Sequence, residues 1–228
     1  MPSSHVAPAQ VHKHRVFVVD DHPIVRQGLA LLIDQQPDLV VCGAAEEAES
    51  ALAAIAASRP DVLVLDISLP GRDGIELLKA IRASNSELPI LVLSMHDETM
   101  YAERALRAGA NGYIMKQEAT ENVLVALRRI LRQEVYLSDR IASRMLRQLA
   151  SHGREANEAP ISRLSDRELE VFRLIGTGLS TRQIADELRL SVKTVESYQA
   201  HIKDKLALHS SRDLVQRAIE WRMGRRNE

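Results

Sequence analysis

Aromatic residues are scarce in this chain of 228, at 3%, with one tryptophan and two phenylalanines. So few flat side chains argue against the stacking platforms that hold single-stranded nucleic acid. Cysteine is scarcer still. Cys42 stands alone within Leu39-Val40-Val41-Cys42, where it reads as a buried strand residue. No disulfide can close within the chain, which fits a reducing compartment. No apolar run approaches the roughly 20 residues of a membrane span. The opening Met1-Pro2-Ser3-Ser4-His5 lacks the charged-then-apolar layout of an export signal. These absences lead to the expectation of a soluble, cytoplasmic protein with no membrane partner. Net charge is nearly absent too, at −1, and as a whole-chain figure it points to no partner.

Charge by region is more informative. Residues 1–133 carry 13 Lys/Arg against 17 Asp/Glu, residues 134–160 carry 4 against 4, and residues 161–228 carry 13 against 10. An acidic front and a mildly basic rear suggest a polyanion partner for the rear segment. The composition is 45% hydrophobic and 27% charged, a globular balance. At this length two domains are expected.

The front segment alternates between strand and helix patterns. Strands are expected near 15–20, 39–44, 61–66, 88–94 and 112–115. Helices are expected over 24–35, 46–58, 74–84, 98–108 and 120–132. Pro37, Pro60, Pro70 and Pro89 fall in or beside the junctions, where helix breakers belong. Five such units predict an α/β domain over 15–132. Its core is a five-stranded, parallel, doubly wound sheet of the flavodoxin-like kind. Residues 1–14, with His5, His12 and His14, read as a disordered tail. Residues 133–160 read as a helical and flexible linker. One helix pattern there runs through Ile141, Met145 and Leu149, and Ser151 to Pro160 is small and polar. Residues 161–228 are expected to be all-helical, with four helices. Ser165-Asp166-Arg167-Glu168 and Ser180-Thr181-Arg182-Gln183 both match a capping box.

Chemistry concentrates at the strand ends. Val62-Leu63-Val64-Leu65 stops at Asp66, and Val16-Phe17-Val18-Val19 stops at Asp20-Asp21. In a doubly wound sheet, ligand sites lie beyond the carboxyl ends of the strands. Three carboxylates there repel one another unless a cation sits among them, and hard oxygen donors suit Mg²⁺. Asp66 is the candidate nucleophile, becoming an aspartyl phosphate. Asp21, with Asp20 behind it, would hold Mg²⁺ together with Asp66 and the Ser68 backbone carbonyl. Lys116 would bring a positive charge to the acyl phosphate, and Ser94 a hydroxyl to a phosphoryl oxygen. Each residue alone has an ordinary reading as a cap, a turn or a solvated surface group. Their joint placement at four strand ends points to phosphoryl transfer.

In the rear segment, the helix expected from Ser191 to Leu206 turns Val192, Val195, Gln199, Ile202 and Leu206 to one side, with Tyr198 flanking. The opposite side presents Lys193, Ser197, Ala200 and Asp204, flanked by Glu196 and His201. The helix before it, over 180–187, directs Ile184, Ala185 and Leu188 to the core. The pair forms a helix-turn-helix, or else part of a plain bundle whose outer face is merely soluble.

Several stretches of this sequence resemble a known family. Val19-Asp20-Asp21-His22-Pro23-Ile24-Val25-Arg26, Leu65-Asp66-Ile67-Ser68-Leu69-Pro70, Leu93-Ser94-Met95-His96 and Gly109-Ala110-Asn111-Gly112-Tyr113-Ile114-Met115-Lys116 are similar to the receiver of NarL/FixJ-type response regulators. The resemblance implies that Asp66 takes phosphate from a phosphohistidine on a sensor histidine kinase. It makes Ser94 the switch hydroxyl and Tyr113 the switch aromatic. Gln117 departs from the proline common after the Lys, and Met95 stands where many receivers have a small residue.

Leu164-Ser165-Asp166-Arg167-Glu168-Leu169-Glu170-Val171, Gln183-Ile184-Ala185, Leu190-Ser191-Val192-Lys193-Thr194-Val195 and Ile202-Lys203-Asp204-Lys205-Leu206 resemble a LuxR-type DNA-binding domain. That resemblance implies a recognition helix in the major groove of double-stranded DNA. Glu196, Ser197 and Ala200 would face bases, and Lys193, Thr194, Lys203 and Lys205 would face phosphates. Tyr198 replaces a His found in many relatives. The last helix carries an apolar stripe, Leu214, Val215, Ala218 and Ile219, that serves either the bundle core alone or, as the resemblance implies, the contact of a phosphate-favoured homodimer, with Trp221 extending it.

Together these readings predict a phosphorylation-switched transcription regulator that is not an enzyme beyond self-phosphorylation from a donor and slow autodephosphorylation. The alternatives are a DNA-binding regulator indifferent to phosphorylation, and an Asp-nucleophile phosphatase. The latter would need an acid/base carboxylate two residues past the nucleophile, where Ser68 stands.

Overall fold

The computed structural model describes residues 13–69, 74–95, 98–151, 160–188 and 190–225. The tail expected over 1–14 lies outside the described residues except for Lys13 and His14, as does most of the polar stretch before Pro160. The chain divides into two units, Met1–Ala150 and Ser151–Glu228.

The first unit is built on five strands: β1 (His14–Val19), β2 (Leu39–Ala45), β3 (Val62–Asp66), β4 (Ile90–Ser94) and β5 (Gly112–Met115). All pair in parallel, in the order β2-β1-β3-β4-β5. The helices are α1 (Pro23–Asp34), α2 (Ala48–Ser58), α3 (Gly74–Ser84), α4 (Glu98–Arg107) and α5 (Ala119–Leu131). β3 and β4 are buried along their whole length. Helices cover both faces of the central strands, so their apolar runs need no polar alternation. One core cluster joins Val16, Val18, Val62, Val64, Leu91 and Leu93 of the sheet to Leu29 and Ile33 of α1 and to Val123, Leu127 and Ile130 of α5. Burying each such side chain contributes about 1.5–3 kcal/mol. Cys42 is partly buried on β2, and burial pushes its thiol pKa up.

Strand order reverses between β1 and β3, the place where a doubly wound sheet opens a crevice at its carboxyl edge. β1 ends next to Asp20 and β3 ends in Asp66. The carboxylates therefore meet because of the topology. After α5 the chain turns back through Gln133, which has a positive φ of 63°. It lays Tyr136 beside Gly112 of β5 and enters α6 (Asp139–Ser151).

The second unit opens with a 3-10 turn (Pro160–Arg163) followed by α7 (Asp166–Gly176), α8 (Thr181–Glu187), α9 (Val192–Leu206) and α10 (Ser211–Arg225). Both expected capping boxes form. Ser165 Oγ accepts from the Glu168 amide while the Glu168 carboxylate accepts from the Ser165 amide, and Ser180 and Gln183 repeat the exchange. Leu169, Phe172, Ile184, Val195, Ile202, Leu214 and Ala218 form the buried interior. Trp221 packs on Phe172 with ring centroids 5.5 Å apart, tilted at 53°, so it serves the core of this unit.

Candidate functional site: an acidic pocket and a polar helix

At the carboxyl edge of the sheet, Asp20, Asp21, His22 and Asp66 bring ligand atoms within 4.8 Å of one another. Asp66 is fully buried and Asp20 is 1% exposed. Lys116 follows β5 directly, and its side chain is 5% exposed. Its ammonium donates a hydrogen bond to Asp66 Oδ2 at 2.7 Å and stands 2.7 Å from Asp20 Oδ2. Asp66 Oδ1 accepts from the Ser68 amide at 2.8 Å. Asp20 Oδ1 accepts from the His22 amide at 2.8 Å, while Asp20 Oδ2 is buried and takes no well-aligned hydrogen bond.

The electrostatics follow from burial and charge. Burial pushes the Asp66 pKa up, partly opposed by the Lys116 charge and the Ser68 amide. Burial draws the Lys116 pKa down, but Asp66 and Asp20 outweigh it and hold the ammonium above the ordinary lysine value. Three carboxyl groups face one ammonium here, an acidic excess that a divalent cation would offset. The oxygen-rich donor set fits a hard cation.

Strand register fixes the remaining members. Asp66 lies opposite Leu93, so Ser94 ends β4 beside it, and Ser94 pairs with Met115, one residue before Lys116. Ser94 and Tyr113 are both buried. Met95 is 55% exposed and faces solvent next to Ser94. Sequence reasoning did not assign His22 to the pocket. Its Nδ1 lies 2.7 Å from Asp21 Oδ1, 3.2 Å from Asp20 Oδ1 and 3.5 Å from Lys116 Nζ. Its position directly after Asp21 was the available signal.

In the second unit, α9 buries Val195 and Ile202 and exposes Lys193, Glu196, Ser197, Ala200, His201 and Asp204. Ser191 caps the helix, and its hydroxyl shares a 2.7 Å hydrogen bond with Thr194 Oγ1. Two expectations need correction, those for Val192 and for the inner residues of α10. Val192, expected on the inward face, is 42% exposed, while Val195 in the same turn is fully buried. Lys205, expected on a phosphate, has its ammonium 2.6 Å from Glu168 Oε2 on α7 with its side chain 41% exposed. Burial alone would raise the Glu168 pKa, but Lys205 and the Ser165 amide outweigh it and hold the carboxyl low. Lys205 therefore ties α9 to α7 while its side chain still reaches solvent. Leu214 and Ala218 were placed at a dimer contact and instead fill this unit's core. The outer face of α10 is Val215, Ile219 and Met223, at 43%, 39% and 64% exposure. A shallow groove there is lined by Arg212, Val215, Gln216, Ile219 and Glu220.

A parallel sheet with acidic strand ends, followed by a helix-turn-helix, defines a response regulator with a DNA-binding output. The family models agree: residues 16–128 match the response regulator receiver domain, and residues 162–218 match the bacterial regulatory proteins of the luxR family. The chain belongs to this family of transcription regulators. It is 34% identical over 213 residues to the oxygen regulatory protein NreC of Staphylococcus haemolyticus, covering 92% of this chain and 98% of that one. Among solved structures it is similar to RcsB of Salmonella enterica serovar Typhimurium bound to a promoter with a phosphomimetic. That match has 29% identity and a TM-score of 0.57, and covers 90% of this chain and 98% of that one. A LuxR-family two-component response regulator from Aurantimonas matches with 34% identity and a TM-score of 0.56, over 60% of this chain and 99% of that one. Among the described residues, no helix is long and apolar enough to cross a membrane.

Proposed function

We propose that Asp66 is the phosphoacceptor of this regulator and that its occupancy sets DNA affinity. The observation that carries this reading is Lys116 Nζ at 2.7 Å from both Asp66 and Asp20, within a cluster whose donors lie inside 4.8 Å. An Asp66 carboxylate oxygen attacks the phosphorus of a phosphohistidine on a sensor histidine kinase. The O–P bond forms, the N–P bond breaks, and the departing imidazole nitrogen takes a proton. Asp21, Asp66, Asp20 and the Ser68 carbonyl would hold Mg²⁺. When bound, that ion neutralises charge on the phosphoryl oxygens. Lys116 pairs with the product, and Ser94 donates its hydroxyl hydrogen to a phosphoryl oxygen, with Tyr113 moving alongside. The chain itself acts only as acceptor, with slow autodephosphorylation.

The receiver is assigned to 15–132, the connector to 133–160 and the DNA-binding domain to 161–228. Glu196, Ser197 and Ala200 would read base edges, with Lys193, Thr194, Lys203 and Lys205 on phosphates. Val215 and Ile219 of α10 supply the homodimer contact on paired half-sites, and the protein works in the cytoplasm. Incubating the full chain with acetyl phosphate and Mg²⁺ tests the acceptor assignment. Phosphate-affinity electrophoresis should show a shifted band for wild type and none for Asp66→Ala. A shifted band that persists in Asp66→Ala would refute the assignment.

A further inference from the structure

β5 is the last strand of the sheet, and such an edge offers unpaired amides and carbonyls. Here the chain covers part of that edge itself. After α5, Gln133 turns the backbone, and the Glu134 carboxylate lies 3.0 Å from Arg129 Nε and 3.0 Å from Arg132 Nε. Tyr136 then runs parallel to β5. Its amide donates to the Asn111 carbonyl at 3.0 Å, and its own carbonyl accepts from the Tyr113 amide at 3.0 Å. The Arg129 guanidinium lies over the Tyr136 ring, 5.6 Å from its centre, and the ring packs against the core. Gly112 permits the approach: a Cβ there would stand 3.0 Å from the Tyr136 carbonyl oxygen.

Little slack follows. Ser138, two residues on, starts α6: its hydroxyl accepts from the Ile141 amide and its carbonyl from the Ala142 amide. β5 is also the strand whose end carries Lys116, hydrogen-bonded to Asp66. A continuous bonded path therefore runs from Asp66 through Lys116 and β5 to the Tyr113 amide, then through Tyr136 to the first turn of α6.

We propose that the Glu134–Ser138 segment is a strap that transmits the state of the acidic pocket to the connector helix, by fixing the start of α6 to the Tyr113 backbone. This rests on the phosphoacceptor reading above. A two-state element of this kind matters only if it differs between the states. The competing role is a plain edge cover, and the two roles separate on length. A cover works whatever follows it, whereas a transmitter fails when slack is added.

The test is a two-glycine insertion between Leu137 and Ser138 in the full chain, with Tyr136→Pro as a second variant that deletes the Asn111 hydrogen bond. Each is compared with wild type for acetyl-phosphate labelling of Asp66 and for DNA affinity with and without the donor. The expected result is unchanged labelling. The wild-type gain in affinity, of the order of 5–150-fold for an allosteric coupling, should shrink to near unity in the insertion variant. Hydrogen exchange should also show the Tyr113 and Tyr136 amides and the first turn of α6 changing together on phosphorylation in wild type only. A full gain in the insertion variant overturns the strap while leaving the phosphoacceptor reading intact. A wild-type chain that is labelled but shows no gain removes the strap and the phosphate control of DNA affinity, and leaves Asp66 as the phosphoacceptor.

Discussion

Replacing Lys116 with methionine keeps a buried chain of similar length and removes the one charge that separates Asp20 from Asp66. Both carboxylates are almost wholly buried, so they cannot be rescued by solvent. Removing one partner from a buried ion pair costs about 3–5 kcal/mol. The protein has one escape, which is to keep Asp66 protonated, the direction burial already pushes it. Against an unfolded carboxyl of pKa about 3.9, holding a proton at pH 7 costs about 4 kcal/mol, at about 1.36 kcal/mol per pH unit. The penalty therefore has a ceiling near that value at pH 7, and it falls to about 1.5 kcal/mol at pH 5. The sign is set by proton count. The variant's native state binds one more proton than its unfolded state, so its stability decreases as pH rises. Urea unfolding of the full chain by far-UV circular dichroism at both pH values measures this. The sole tryptophan, Trp221, lies in the second unit, and its fluorescence transition should stay in place. An equal penalty at pH 5 and pH 7, or none at pH 7, would refute the reasoning.

Gly176→Ala should lower the urea midpoint reported by Trp221, because the added Cβ would lie 2.6 Å from the Ala218 carbonyl oxygen. A cost of about 1–3 kcal/mol is expected for such overpacking, and an unchanged midpoint would contradict the α7–α10 contact. The Arg128 guanidinium holds the Asp38 carboxyl below its ordinary value, so the pair adds stability above that value and loses it as pH falls through the lowered one. Arg128→Gln should flatten the acid side of the stability curve by less than about 1 kcal/mol, since the pair is partly exposed. Lys193→Ala should reduce the salt dependence of DNA binding by about one unit of slope and leave sequence preference alone. Glu196→Ala should change preference at one base position, which binding-site selection would read.

Much of the fold was legible in the sequence, because its signals were local and strong. The even apolar runs of β1 and β3, each stopping at a carboxylate, read as strands buried on both faces, and Ser165 and Ser180 announced their helices through capping boxes. The gathering of Asp20, Asp66 and Lys116 followed from strand order. What stayed hidden depends on partners distant in sequence. Lys205 looked like any exposed cation until Glu168, 37 residues earlier, was seen beside it. Leu214 and Ala218 share a stripe with Val215 and Ile219, and periodicity could not say which side faced α7. The strap was invisible because Val135-Tyr136-Leu137 is too short to read as a strand without β5 beside it.

The central claim is that phosphate on Asp66 raises the affinity of the second unit for DNA. The most direct measurement is the dissociation constant of the full chain for its selected DNA site at fixed salt, with and without acetyl phosphate and Mg²⁺, for wild type and Asp66→Ala. Tighter binding by donor-treated wild type alone is the predicted outcome. Equal affinity for both proteins under both conditions would contradict the account, leaving a DNA-binding regulator with no phosphate switch.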